Sequence, residues 1–349
     1  MRLNDKAKAL LRTFVPLFLG VGLFWLLYRK TDFEAIRQVI YSEVNYPILL
    51  ASLLWGAMAN IVRGYRWKLL VDPIVDDGER PRLLNSVLTV LGSYTVNMGI
   101  PRAGELWRCA EFKRYETLSF SALLGTLITD RLMDVFVLLV ILAVVILTNL
   151  GFFVDFFEAN TSALHGLRSI LGSVWLYIFI AVSLAAVLYI LLHIRRRPDG
   201  RIALSLKTVL RGLGSIRAME QRKLFLFYTL LIWLGYFGFF YTTFYAFSFT
   251  QSLSLGVGII AFTMSVMTVV APVQAGLGPW HFMVITTLVA FGVSRTDASA
   301  FALIVHTTQT LWITLVGLVA ILILPLVNRH YKRRLYADIT ATPHNTSNN

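Results

Sequence analysis

Three groups of polar residues interrupt an otherwise apolar chain of 349 residues, and their spacing points to phosphate chemistry. Arg102, Glu105 and Arg108 recur every third residue, which on a helix sets them along one face as an arginine-glutamate-arginine strip. Guanidinium groups grip phosphate oxygens through paired donors, and the intervening glutamate keeps the strip from being a bare positive patch. The alternative is a self-satisfied surface ion network, which adds little stability. Asn97, ahead of Pro101, offers an amide at the tip of this break, either to a ligand or to free backbone groups. The second group is Asp130, Arg131 and Asp134, at spacings that place all three on one side of an apolar helix. An intramembrane charge costs roughly 2.5 to 3.5 kcal/mol on insertion scales, so this trio should face the bundle or a watery cavity. At a cytoplasmic boundary the same charges would cost little. The third group, Arg63, Arg66, Trp67 and Lys68, reads by default as an interfacial anchor with snorkelling side chains, although Arg66 could also join a phosphate site.

The same residue types exclude other chemistry. The single cysteine, Cys109, rules out an internal disulfide and a thiolate metal site, and the six histidines show no ligand-like spacing, so no metal is expected. No Gly-x-x-x-x-Gly-Lys-Ser/Thr motif occurs, which argues against ATP hydrolysis. With no nucleophile-base pair and no nucleotide-binding signature, the chain is read as a non-enzyme without a cofactor. The net charge of +13 arises from short basic clusters flanking apolar runs, the pattern of cytoplasmic loops rather than of a nucleic-acid surface. Membrane lipids with anionic or zwitterionic headgroups are the expected partners.

What must position these residues is a membrane bundle. Hydrophobic residues make up 57% of the chain and charged residues 15%, with a mean hydropathy of +0.68, too apolar for a soluble domain. Apolar runs fall at about 13 to 28, 46 to 62, 83 to 100, 119 to 149, 171 to 192, 224 to 247, 255 to 292 and 299 to 327. Their length excludes a β-barrel and predicts an all-α polytopic membrane protein with eight hydrophobic segments. The first follows Arg2, Lys6, Lys8 and Arg12 but has no small-residue cleavage site after it, so it reads as a retained span.

Loop charges then constrain the topology. The loop from His193 to Lys223 is strongly basic and belongs to the cytoplasm, as do the basic N-terminus and the tail around Arg329 to Arg334. Gly151 to Ile170 and Ser248 to Ser254 look external. Eight full crossings cannot satisfy these sides, so one run in each half should fail to cross. The runs broken by proline and glycine, 83 to 117 and 255 to 292, are the candidates. About six spans and two opposed re-entrant hairpins result, in a single domain 1–339 whose halves, about 1–150 and 151–339, form an inverted repeat, followed by a disordered polar tail at 340–349. Pro101, Gly104, Pro272, Gly276 and Gly278 are the hinge positions, and Pro101-Arg-Ala-Gly-Glu-Leu-Trp107 recurs loosely as Pro272-Val-Gln-Ala-Gly-Leu-Gly-Pro-Trp280. Paired Gly/Pro-interrupted segments in two halves point to a transport site. The rival topology is eight full spans with one weak positive-inside violation per half. In the second hairpin Gln274 and His281 are the polar side chains, although a histidine beside an apolar run is more often structural. The stripe Ile202, Leu206, Val209, Leu213 and Ile216 suggests a helix on the cytoplasmic surface or a packed linker helix. The aromatic residues crowding the sixth run are explained by packing and lipid contact, with an acyl-chain groove as the sharper alternative.

Taken in order, Arg66-Trp67 with Leu69-Leu70, Asn97-x-x-x-Pro101-Arg102-x-Gly104-Glu105-x-x-Arg108, Asp130-Arg131-x-x-Asp134 and Pro272-x-x-Ala-Gly276-Leu-Gly278 resemble the flippase-like transmembrane region of lysylphosphatidylglycerol synthases. The resemblance covers essentially the whole chain. It implies an eight-segment membrane fold and movement of an aminoacylated phospholipid between leaflets, with Arg102, Glu105, Arg108, Asp130, Arg131 and Asp134 on the family's polar motifs. The larger synthases carry a soluble aminoacyl-transferase domain after the membrane region. This chain ends about twenty residues past its last span, so it is not expected to make lysyl-phosphatidylglycerol. The family's second hairpin often has a glutamate soon after Gly-Gly-Leu-Gly. Here the run is Ala275 to His281 without that acid, and recognition of a lysyl headgroup is not carried over.

The expected function is therefore a lipid flippase or transporter of the cell (inner) membrane with both termini cytoplasmic. It would move a phosphate-bearing lipid: a phospholipid, an aminoacyl-phospholipid or a polyprenyl-phosphate lipid. An intramembrane lipid-modifying transferase, or a scaffold partner of a glycosyltransferase or synthase, is the alternative.

Overall fold

A backbone in hydrocarbon has no water to bond to, so a spanning chain must satisfy its N–H and C=O groups within helices. The computed structural model obeys this, with helices as the regular elements among the described residues. Those residues are 21–22, 25, 28–29, 33–75, 80–100, 102–116, 118–159, 172–174, 177–178, 181–182, 214–215, 219–268, 273 and 276–331. The elements are α1 (Phe33–Ser42), α2 (Tyr46–Val71), α3 (Leu83–Gly99), α4 (Ala103–Tyr115), α5 (Phe120–Thr148), α6 (Leu150–Ala159), α7 (Arg222–Tyr241), α8 (Leu255–Met267), α9 (Pro279–Ala290) and α10 (Arg295–Val327). Among the described residues four helical stretches are long and apolar enough to cross a membrane, Tyr46–Ile74, Phe120–Thr148, Arg222–Ala246 and Arg295–Tyr331, and α8 and α9 are shorter apolar helices. The protein is an all-α polytopic membrane protein. The stripe at 202–216, the tail at 340–349, and most of the runs at 13–28 and 171–192 lie outside the described residues.

Helix starts follow capping chemistry. Asn45, Ser119, Ser254 and Ser294 each accept a hydrogen bond from a backbone N–H in the first turn, of Ile48, Ala122, Val257 and Asp297 respectively. The helices then approach closely wherever one presents a small residue, as membrane bundles require in the absence of a hydrophobic drive between helices. On α2, Gly56 lies under the Phe239 ring of α7, and Gly64 lies against the backbone of Val87 on α3. Across the α2–α7 contact, Gly235 meets Ala59 and Gly238 meets the Trp55 indole. Gly317 of α10 sits against the Leu91 carbonyl of α3, where Thr95 Oγ1 also donates to Thr314 O at 2.8 Å.

The run from 83 to 117 folds back on itself. Three residues, 100–102, join α3 to α4, and the two helices lie antiparallel: Asn85 meets Glu116 at the base, Gly92 meets Trp107 half-way, and Gly104 meets Ser93 and Asn97 near the tip. The turn is made by Arg102, whose φ of 62° lies in the left-handed region. At the base, the Glu116 carboxylate accepts from the Arg82 backbone N–H (3.0 Å), from Asn85 Nδ2 (2.7 Å) and from the Tyr331 hydroxyl (2.9 Å). Asn328 Nδ2 donates to Asn85 Oδ1 at 2.6 Å, so the hairpin base is tied to the end of α10. Burial pushes the Glu116 carboxyl above its ordinary pKa, and its three hydrogen bonds act in the opposite sense.

The second broken run forms α8 and α9, which pack on each other and share a core with α7 and α10 built from Phe240, Phe244, Phe247, Phe262, Val284 and Phe301. Gly276 (φ 71°) and Gly278 (φ 89°) occupy backbone that favours glycine, and Pro279 follows at the first turn of α9, where a missing N–H costs nothing. Of the predicted hinge positions, Pro101 and Pro272 lie outside the described residues. The packing of one half has its counterpart in the other: α2 meets α3 as α7 meets α8, α4 meets α5 as α9 meets α10, and α3 meets α10 as α8 meets α5.

The tightest approach in the first hairpin gives a direct test. A Cβ on Gly104 would collide with the Ser93 carbonyl oxygen and lie 2.8 Å from the Asn97 amide, whereas one on Gly99 meets nothing within 4 Å. Gly104→Ala should therefore lower the unfolding temperature of the detergent-solubilised protein, through an overpacking cost of about 1–3 kcal/mol. Gly99→Ala should leave it unchanged or slightly raised.

Candidate functional site

Helical spacing on two spans assembles the site. On α2, Asn60, Arg63 and Trp67 share a stripe, with Arg66 beside it. On α5, Asp130 and Asp134 stand one turn apart. Where these two faces meet, arginine and aspartate interlock. Asp130 Oδ1 accepts from Arg66 Nε (3.0 Å) and Nη2 (2.6 Å), and Asp134 Oδ1 accepts from the same Nη2 at 2.7 Å. Arg63 Nη1 donates to Asp134 Oδ2 and lies 3.7 Å from Asp130 Oδ2. The Arg66 and Asp130 side chains are fully buried, and Arg63 is 4% exposed. A buried ion is tolerated only when partners and hydrogen bonds replace its water, and both aspartates have them here.

Neighbouring groups complete the shell. Arg66 Nη1 reaches Thr229 Oγ1 of α7 at 3.3 Å, and its guanidinium lies over the Phe225 ring. Arg63 Nε donates to the Tyr236 hydroxyl at 3.1 Å. That hydroxyl donates in turn to Asn60 Oδ1 (3.0 Å) and stands 3.2 Å from the Tyr94 hydroxyl of α3. Four elements thus contribute to one polar core.

The first hairpin brings the remaining charges. Arg108 enters from α4 and is 1% exposed. Its Nη2 stands 3.6 Å from Asp130 Oδ2, and its guanidinium centre lies 4.3 Å from the centroid of the Trp67 ring. None of its three guanidinium nitrogens makes a hydrogen bond among the described residues. Closer to the surface, Arg131 Nη2 pairs with Glu105 Oε1 at 3.3 Å and Nη1 with Asp134 Oδ2 at 3.5 Å. Glu105 Oε2 and Arg131 Nε are buried atoms with no hydrogen bond among the described residues. Four guanidiniums therefore face three carboxylates, leaving one positive charge in excess and a set of unused donors around Arg108.

Among the residues singled out from sequence, the structure brings Arg66, Glu105, Arg108, Asp130, Arg131 and Asp134 into this one network. Asn97 caps the hairpin tip, its Oδ1 accepting from the Gly104 N–H at 2.8 Å. Arg102 sits at the turn, exposed, with no ion pair among the described residues. His281 lies elsewhere, buried in the second hairpin's aromatic core against His306, Trp280 and Tyr28. Gln274 lies outside the described residues. Arg63, Arg66 and Trp67 do not snorkel to an interface as an anchor would, because α2 turns that face inward onto α5 and α7. Asn60, Tyr94, Thr229 and Tyr236 are members that the motifs did not reveal, and Arg63, read from sequence as an interfacial anchor, joins them. The spacing of Asn60, Arg63 and Trp67 carries a signal for α2, but nothing local marks Tyr236 among the aromatic residues of its helix.

A family model described as "Lysylphosphatidylglycerol synthase TM region" matches residues 13–317. The chain belongs to this family. Membership relates it to membrane proteins of lipid-modification and flippase type. Comparison with curated proteins and with solved structures gives no match.

Burial separates the two kinds of ion pair energetically. Asp130→Ala, which strands Arg66 and Arg63 in the core, should destabilise the protein by about 3–5 kcal/mol. Glu105→Ala, which removes a pair whose side chains are 24% and 36% exposed, should cost about 0–1 kcal/mol. Thermal unfolding of the two variants in the same detergent measures the difference.

Proposed function

We propose that the protein is a lipid flippase or transporter whose arginine cluster receives the phosphate of a lipid headgroup. The observation that carries this reading is Arg108: a buried guanidinium with unused donors, in a cluster with one positive charge in excess. Buried donors without acceptors are costly, and a phosphate oxygen supplies acceptor and countercharge together. The membrane family and the bundle of long apolar helices support a lipid as the bearer of that phosphate.

In this reading the two helix pairs, α3–α4 and α8–α9, are re-entrant hairpins that enter the membrane from opposite sides, the first open to the cytoplasm. The matching packing of the two halves supports an inverted repeat, the arrangement in which such hairpins meet near the midplane. The headgroup crosses through the polar core while the acyl or polyprenyl tails stay in lipid. Phospholipids, aminoacyl-phospholipids and polyprenyl-phosphate lipids all present the required phosphate. The protein moves the lipid without modifying it, downhill or coupled to protons through Glu105 or Asp130, in the cell membrane with both termini in the cytoplasm.

Purified protein in vesicles containing a trace of fluorescent phosphatidylglycerol tests this, with loss of outer-leaflet signal on dithionite addition as the readout. Wild-type protein should expose inner-leaflet probe faster than empty vesicles. Arg108→Ala should slow this by about tenfold or more, the worth of a charge-assisted hydrogen bond. Wild-type vesicles that move neither this probe nor an aminoacyl or polyprenyl-phosphate analogue faster than empty ones would overturn the proposal.

A further inference from the structure

We propose that lipid headgroups reach the arginine cluster sideways from the bilayer, by parting the seam between α4 and α5 that the Glu105–Arg131 ion pair bridges. This rests on the flippase reading and adds the route of entry. The two helices are held together differently along their length. Towards the end of α4, Cys109 and Phe112 pack with Ala122, Leu123 and Leu127 of α5 and with Trp67 in one buried apolar cluster. Towards the tip of the hairpin that packing gives way to the Glu105–Arg131 pair at 3.3 Å. Next in sequence to the paired residues, Leu106 and Leu132 are 51% and 60% exposed, an apolar rim suited to acyl chains rather than to water.

Behind the pair the charges become steadily more enclosed. Arg131 is 36% exposed, Asp134 14%, Arg108 1% and Asp130 0%. A phosphate arriving between the leucine rims meets Arg131 first and Arg108 next, each with a nitrogen that has no hydrogen bond among the described residues. It takes over Arg131 from Glu105 by exchanging one carboxylate for one phosphate, so positive charge is never left bare during entry. A partly exposed ion pair contributes little to stability and opens cheaply, which is what a repeatedly used entrance needs. Glu105 and Arg131 are thus positioning residues at the entrance, distinct from the interlocked Arg63, Arg66, Asp130 and Asp134 behind it.

Two measurements on the full chain in phosphatidylglycerol vesicles test the route. The photoreactive residue p-benzoylphenylalanine is placed at Leu106, at Leu132 or, for comparison, at the lipid-facing Leu322 of α10, and lipid adducts are quantified. Adducts at 106 and 132 should exceed those at 322 and fall towards that level on adding Arg108→Ala, since the excess depends on a headgroup held by that arginine, while adducts at 322 stay constant. An equal response at all three positions, or none, overturns the portal.

The second measurement keeps Arg108 intact. Leu106→Cys and Leu132→Cys, which leave every charged residue of the cluster in place, are joined by a cleavable bis-methanethiosulfonate linker, and lipid movement should stop when they are joined and resume on reduction. Movement unaffected by the linker overturns the portal while leaving the flippase reading in place. Should the double variant be inactive even when reduced, the photo-adducts decide. Wild-type protein that moves no lipid overturns the flippase reading, whereas Arg108-dependent adducts at 106 and 132 would still locate headgroup entry here.

Discussion

The interlock of Arg63 and Arg66 with Asp130 and Asp134 is the constraint around which the rest of the molecule is arranged. Removing four charged side chains from water is affordable only if each finds its partner, which fixes α2 against α5 in register and rotation together. A shift of one residue along either helix would turn a charge towards lipid. That requirement explains the small residues along α2: Gly56 and Gly64 let α7 and α3 come close enough for Thr229, Tyr236 and Tyr94 to reach the same core.

Arg108 belongs to this centre by position but not by saturation. The arginines on α2 spend their donors on carboxylates, threonine and tyrosine, whereas Arg108 rests on the face of Trp67 and keeps its donors unspent. An indole face holds a guanidinium in place without consuming its hydrogen-bonding edge, because the ring attracts the cation through its π density alone. Trp67 is itself fixed by its Nε1 donating to Thr126 at 3.1 Å and by the edge of Phe112. Arg108 is therefore held against a fixed indole face and near Asp130 with its hydrogen-bond donors unused.

Much of this was legible in the sequence, for reasons that differ from residue to residue. Apolar run length marks the spans, because hydrocarbon thickness sets it, and a left-handed turn at Arg102 and glycines at 276 and 278 appear where the runs break. The charges on α4 and α5 reveal themselves through spacings of three and four. Arg63 and Arg66 were less legible, since basic residues beside tryptophan near the end of an apolar run look the same whether they anchor a helix at an interface or face inward. Tyr236 carries no local mark at all. Its role depends on α7 meeting α2, a contact between residues far apart in the chain. His281 shows the converse: a polar residue at a suggestive place in a broken run that the fold assigns to an aromatic core.

The tie between the first hairpin's base and the last helix has a mechanical consequence. Glu116 and Asn85 bind Tyr331 and Asn328, while further along the same rod α10 packs on α3 and, beyond that, on α9 of the second hairpin. One continuous helix is thus a common spar for both broken segments. Displacing the base of the first hairpin therefore loads the same helix on which the second hairpin packs.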